Sequence, residues 1–281
     1  MKSSEIYAAP RVVSDIEDCF FYHTIDLPEY GTQQGLFDLR SGAQAYLGHV
    51  PVSGKRVLEV GTANGFLCFH MEQQGAEVVA YDLSDGTEWD IVPYANADTF
   101  AKLAERADII GKLNNAFWLA HRLYQSQARV VYGTIYTIPE TIGAVDIVTF
   151  GAILLHVRDP FLALQNALKM TRETVIITEL IPVWQRFLLR YLPIRKPVFA
   201  MMRSWHTLAT RLWQPKLAFL PNYRRGDPYE TWWQLSPQIL QAFLGVLGFE
   251  DTQISYHMQS YRGKLVPLYT IVGNRTSDKV I

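Results

Sequence analysis

The stretch Val57-Leu-Glu-Val-Gly-Thr-Ala-Asn-Gly-Phe-Leu67 runs from an apolar strand pattern through a turn into a helical pattern, and it carries one acid, Glu59, and two glycines, Gly61 and Gly65. A dinucleotide fingerprint needs G-x-G-x-x-G, yet counted from Gly61 the later glycine positions hold Ala63 and Phe66. What stands is Glu-x-Gly-x-x-x-Gly, followed by a second apolar run, Glu77-Val-Val-Ala-Tyr-Asp82, that ends in an acid. An acid there can accept both hydroxyls of a ribose, and glycines let the backbone approach an adjacent amino-acid moiety with no Cβ in the way. Glu59 adds negative charge that suits a ligand amine and repels a phosphate. Taken singly, the glycines fit a tight turn as well as a ligand loop, and Asp82 fits a helix cap.

The alternation continues outward from this stretch. Strands are expected at about 56 to 60, 77 to 82, 129 to 133, 145 to 150 and 174 to 179, with helical patterns between them, the signature of a doubly wound, mostly parallel α/β sheet. One helix should run from near Gly65 to a C-cap at Gly75, and a long one should fill about 95 to 127. Ser236-Pro237 has the form of an N-cap followed by proline at the first helical position, in a helix stopping at Gly248. Two final strands, about 250 to 258 and 265 to 273, are joined by Tyr261-Arg-Gly-Lys264 and can pair only as an antiparallel hairpin.

With 281 residues, 49% of them hydrophobic, the chain can bury a sizeable core. Cys19 and Cys68 are too few and too far apart for a disulfide framework or a zinc site, which fits a reducing cytoplasm. The N-terminal residues lack a signal peptide's apolar core, and no run reaches the roughly 20 apolar residues of a membrane span. The net charge of −1 conceals an asymmetry. Residues 181–225 hold nine Lys and Arg and no acid, which leaves the remainder at about −10.

Together these features resemble the class I S-adenosylmethionine-dependent methyltransferases, whose first motif is E/D-x-G-x-G-x-G at the end of the first strand; Ala63 replaces the middle glycine. The resemblance covers about 54 to 180 and 236 to 275. It implies a seven-stranded Rossmann-like sheet with an antiparallel last strand, and S-adenosyl-L-methionine as cofactor. The cofactor would lie against Glu59, Gly61, Thr62, Ala63 and Gly65, with Asp82 and Leu83 at the ribose, Thr134 and Ile135 beside the adenine, and Phe150, Gly151 and Ala152 under the methionine part. Three further stretches, Phe21–Pro28 with Gly35–Arg40, Phe150–Pro160 and Thr231–Trp233, resemble the family of the tRNA wobble-uridine carboxymethyltransferase and its relatives. That enzyme uses a carboxylated cofactor, contacted by a tyrosine where this chain has Leu155, so ordinary S-adenosylmethionine is expected.

A sulfonium is already an activated electrophile, so the protein must align the acceptor and, for a hydroxyl, take its proton. His156, expected at the carboxyl edge of the sheet, is the first candidate for that base, and His23 the second. His156 also fits a packing role in the loop before Asp159-Pro160. Arg40 could hold the cofactor carboxylate through its fork of donors, or form a surface salt bridge. The remaining histidines have no metal-ligand spacing, Asp146 reads as structural, and no metal is expected.

The expected organisation is an N-terminal covering segment, 1–53, a cofactor-binding domain, 54–180 with 236–281, and an inserted basic and aromatic cap, 181–235. Interleaved cations and aromatics can cap a small-molecule acceptor, bind RNA, or settle on a membrane surface through 181–225. A small molecule is the first expectation and RNA the second. The oligomeric state is left open.

Overall fold

The computed structural model of the protein describes residues 6–87, 89–182 and 215–277. The N-terminal part forms β1 (Ile25–Leu27), β2 (Gly31–Gln33), β3 (Phe37–Asp38) and the short α1 (Ala43–Tyr46). The alternating part follows: β4 (Arg56–Val60), α2 (Phe66–Gln73), β5 (Glu77–Asp82), α3 (Thr99–Leu123), β6 (Arg129–Tyr132), β7 (Val145–Gly151), α4 (Pro160–Leu168) and β8 (Thr171–Leu180). The chain closes with β9 (Leu217–Phe219), β10 (Trp233–Leu235), α5 (Pro237–Val246), β11 (Asp251–Tyr261) and β12 (Lys264–Asn274).

The main sheet has the order β3-β11-β12-β8-β7-β4-β5-β6. From β6 to β8 all neighbours are parallel, and β12 joins β8 antiparallel. All seven expected strands are present. The eighth, β3, comes from the N-terminal segment and pairs with Ser260 and Tyr261. It covers part of an edge that would otherwise offer unpaired N–H and C=O groups to another chain. The β11–β12 hairpin turns through Arg262 and Gly263, both at positive φ (49° and 71°), the conformation a two-residue hairpin of this twist needs.

Helices cover both faces, so the parallel strands are apolar on both sides. On one face Leu58, Val148 and Ile177 pack with Leu164 of α4 and Leu240 and Leu244 of α5. On the other, Val57, Ile147 and Ile176 pack with Leu67 of α2, Phe117 of α3, and Ile25 and Leu39 of the N-terminal segment. The helix boundaries follow local chemistry. Ser236 Oγ accepts the Ile239 amide at the start of α5, Asp98 caps α3, and Gly75 (φ 90°) lies just beyond the end of α2. Asp146 is structural, its Oδ2 accepting the Arg56 amide at 2.8 Å.

The chain lays down β4, β5 and β6 in one direction, then returns to place β7 on the other side of β4. The carboxyl ends of β4 and β7 therefore flank a topological switch point, where a crevice opens in folds of this kind. Among the described residues no helix is long and apolar enough to cross a membrane. Of the inserted segment, Trp184, Phe187, Tyr191, Phe199, Trp205 and Trp213, the cations from Arg186 to Arg211, and the apolar stretches 186–192 and 198–202 lie outside the described residues.

Candidate active site

The glycine loop leaves β4 in an unusual backbone conformation. Gly61, Ala63 and Gly65 all have positive φ, at 81°, 50° and 83°. A Cβ on Gly61 would stand 2.2 Å from Ile153 Cδ1, and one on Gly65 would stand 2.5 Å from the ring of Phe69. The glycines are therefore required by close protein neighbours and by dihedral angle, a reason additional to the ligand approach inferred from sequence. Ala63 holds the left-handed conformation with a side chain, at a cost of about 1–2 kcal/mol. Its N–H is bound in return, donating to Asp82 Oδ2 at 2.7 Å.

Asp82, at the end of β5, accepts a second backbone amide, that of Leu83, on Oδ1 at 2.7 Å. Burial raises its pKa, and the two amides act against that rise. The carboxylate is thus locked in position, with lone pairs left on both oxygens. It lines a groove together with Gly61, Leu83, Thr134, Ile135 and His156. Tyr81 OH donates to the Thr134 carbonyl at 2.8 Å and ties the floor of the groove between β5 and β6.

Glu59 faces the opposite side of the loop. Its side chain is buried, accepts the Thr62 hydroxyl at 2.6 Å, and has its pKa pushed up to about 8 by desolvation. It stands in register with Thr149 of β7, so a polar row interrupts the apolar face beneath the switch point. Both line a smaller pocket with His23, Tyr46, Gly61, Phe150 and Gly151. A Cβ on Gly151 would lie 3.0 Å from the Tyr46 hydroxyl. The two pockets meet at Gly61.

The expected cofactor residues therefore divide. Asp82, Leu83, Thr134 and Ile135 are on the groove, and Glu59, Phe150 and Gly151 are on the smaller pocket. Thr62, Ala63 and Gly65 shape the loop from behind, and Ala152 (φ 54°) binds the Thr178 carbonyl through its amide. Arg40 belongs to neither pocket. Its guanidinium is exposed and bound to Asp38 through two hydrogen bonds and to Asp26 at 2.8 Å, the surface salt bridge that stood as the alternative to a cofactor contact.

The two candidate bases also separate. His156 follows β7, meets Trp89 edge-on, and its Nδ1 donates to the carbonyl of Glu230 at 2.5 Å. Because a carbonyl only accepts, Nδ1 carries the proton and Nε2 keeps the lone pair. Burial lowers the ring's pKa, which keeps it neutral near pH 7. His23 lies in the smaller pocket, buried, with its pKa lowered by desolvation to about 4.

Several groove residues were not among those expected from sequence, Trp89, Asp90, Tyr136 and Ile153 among them. Asp90 Oδ2 accepts the Tyr136 hydroxyl at 2.5 Å and the Arg158 amide at 2.7 Å, and the Asp90 carbonyl accepts the indole N–H of Trp232 at 2.6 Å. Trp89 and Asp90 sit in an irregular loop with no periodicity to flag them. Tyr136, two residues after Thr134, could have been found by extending the loop beyond β6.

A methyltransferase-domain family matches residues 39–211, more than half of the chain. The chain belongs to this family. Several solved structures are similar to this methyltransferase at low identity. Magnesium protoporphyrin IX methyltransferase from Synechocystis PCC 6803, with bound SAH, is 14% identical over 85% of this chain and 82% of its own, with a TM-score of 0.48. EvdMO1 is 15% identical over 90% of this chain and 44% of its own, with a TM-score of 0.50. The 1,6-didemethyltoxoflavin-N1-methyltransferase of Burkholderia thailandensis, with bound 1,6-didemethyltoxoflavin and S-adenosylhomocysteine, is 14% identical over 85% and 78%, with a TM-score of 0.43. No curated protein sequence gives a significant match. The methyl donor expected from the sequence is S-adenosyl-L-methionine. The residues present fit it: a fixed carboxylate with open lone pairs for a ribose, a buried acid beside the loop, and strand ends at Gly61 and Gly151 where side chains would intrude.

Proposed function

We propose that the methyltransferase moves a methyl group from S-adenosyl-L-methionine to an oxygen nucleophile on a small-molecule acceptor, with His156 as the proton acceptor. The observation that carries this reading is the Glu230 carbonyl on His156 Nδ1, which leaves Nε2 as the basic atom of a neutral ring on the groove wall.

The donor supplies an electrophilic methyl group, so the chain's own residues have to orient and deprotonate. Asp82 anchors the ribose. Thr134 and Ile135 flank the adenine, and Phe150 and Gly151 support the amino-acid end. His156 takes the acceptor's proton at Nε2, while the Glu230 carbonyl stabilises the ring that becomes charged.

The stretch 229–233 packs against two groove-lining residues, Glu230 on His156 and Trp232 on Asp90. Val92 donates to the Tyr229 carbonyl and Trp232 donates to the Leu155 carbonyl, both at 2.8 Å. This supports reading 181–235 as a cap over the acceptor, with 1–53 covering the donor and 54–180 with 236–281 forming the domain between them. The Leu155 side chain is packed in the core, which favours the ordinary donor over a carboxylated one.

The test is transfer of labelled methyl from S-adenosylmethionine into cell extract fractionated into RNA, lipid and small-metabolite pools. Label in the metabolite pool is expected. Label confined to tRNA would overturn the acceptor class in favour of RNA modification, and label in lipid would make 181–225 a membrane-docking surface. Absence of transfer together with absence of S-adenosylhomocysteine binding would leave a non-catalytic scaffold.

A further inference from the structure

His23 is buried to 6% exposure, and its Nδ1 has no hydrogen-bond partner among the described residues. Its backbone is held on both sides by one side chain: the His23 amide donates to Asn64 Oδ1 at 2.7 Å, and Asn64 Nδ2 donates to the His23 carbonyl at 3.0 Å. Asn64 sits inside the glycine loop, so the clasp sets the ring at a fixed place beside that loop. Tyr22 meets the ring edge-on at 5.0 Å, and Phe66 lies at 6.2 Å. The backbone clasp accounts for the position of the segment but not for a polar ring in the wall of a pocket, where a buried nitrogen without a partner is unfavourable.

The same pocket holds Glu59 and is lined by no Lys or Arg. An anionic ligand group would meet a buried acid with no cation to offset it. An ammonium would meet two acceptors. We propose that His23 is a ligand of the donor, its imidazole lone pair accepting a hydrogen bond from the α-ammonium while Glu59 supplies the opposing charge. This assignment rests on the reading of the chain as an S-adenosylmethionine-binding protein, and it removes His23 from the candidate bases. Desolvation holds the His23 ring neutral, as an acceptor must be, and a base of such low pKa abstracts a proton poorly. When the ammonium pairs with Glu59, the acid, held near pKa 8 in the absence of ligand, gives its proton to solvent.

The experiment compares three ligands by calorimetric titration at pH 7. S-adenosylhomocysteine carries ammonium and carboxylate, its decarboxylated analogue keeps the amine, and 5′-methylthioadenosine lacks both. His23→Phe should weaken the two amine-bearing ligands by about tenfold and leave 5′-methylthioadenosine within about twofold. His23→Gln, which keeps an acceptor, should recover most of the affinity and guards against a folding defect in the first variant. Equal loss for all three ligands would overturn the proposal and make His23 a loop support. Loss for S-adenosylhomocysteine with none for its decarboxylated analogue would overturn it in favour of a carboxylate contact, and no change would also overturn it. Failure of the unsubstituted protein to bind any of the three would instead sink the donor reading.

Discussion

Asp82 Oδ2 accepts the amide of Ala63 at 2.7 Å, so the acid that ends β5 holds in place the loop that ends β4. The same carboxylate is then both the expected ribose anchor and the brace of the glycine loop. Asp82→Ala should weaken S-adenosylhomocysteine binding by at least about tenfold, or 1.4 kcal/mol, and weaken 5′-methylthioadenosine to a similar extent, because both carry the ribose. Calorimetric titration of both ligands checks this.

Ala63 occupies the middle-glycine position at φ 50°. Ala63→Gly relieves about 1–2 kcal/mol of backbone strain, offset in part by about 0.4–1 kcal/mol from the freer unfolded chain. The expected outcome in urea titration is a stability unchanged or raised by up to about 1.5 kcal/mol, the difference of those two terms. A loss of stability would show that the Ala63 methyl makes contacts that outweigh its strain.

His156→Ala should lower turnover by roughly 10² to 10⁴ while leaving donor affinity nearly unchanged, the signature of a lost general base. In the unsubstituted enzyme the ring must be unprotonated to act. Since burial lowers its pKa, activity should hold as pH falls through 6.5 and decline only below it. A pH profile of turnover at saturating donor tests this, and a variant near normal turnover would remove the base role.

Glu179, at the end of β8, is buried, accepts the Leu154 amide at 2.9 Å, and has its pKa pushed up to about 8 by desolvation. Its unfolded value lies near 4.3, so between about pH 4 and 8 this group holds more of a proton in the folded state than in the unfolded state, and its contribution to stability falls as pH rises. Glu59 adds a parallel loss in the ligand-free protein. Glu179→Gln copies the protonated acid and should remove this group's share of the pH dependence, on the order of 2–5 kcal/mol between pH 5 and 9. Urea titrations at pH 5, 7 and 9 measure the slope, and an unchanged slope would refute the assignment.

Where local chemistry determines structure, the sequence was a sufficient guide. Apolar runs marked β4 to β8, Ser236-Pro237 marked the start of α5, and Arg262-Gly263 marked the hairpin. The acid after the second strand was legible because the chain itself sets its distance from the loop. Contacts between distant segments were not. Arg40 finds Asp26, 14 residues away, and the clasp of His23 by Asn64 spans 41 residues. Asp90 and Tyr136 meet only because the loops after β5 and β6 converge over the groove. β3 was hidden because two residues carry no periodicity; its strand character comes from pairing with Tyr261.

The partner of His156 is a main-chain oxygen, and this has an evolutionary consequence. Any amino acid at position 230 presents the same carbonyl, so point substitution there leaves the tautomer of the base intact. The same side of the ring is fixed a second time through main chain, the Trp232 amide donating to the Leu155 carbonyl. The setting of His156 is thus written in backbone contacts, which side-chain substitution at 155 or 230 leaves in place.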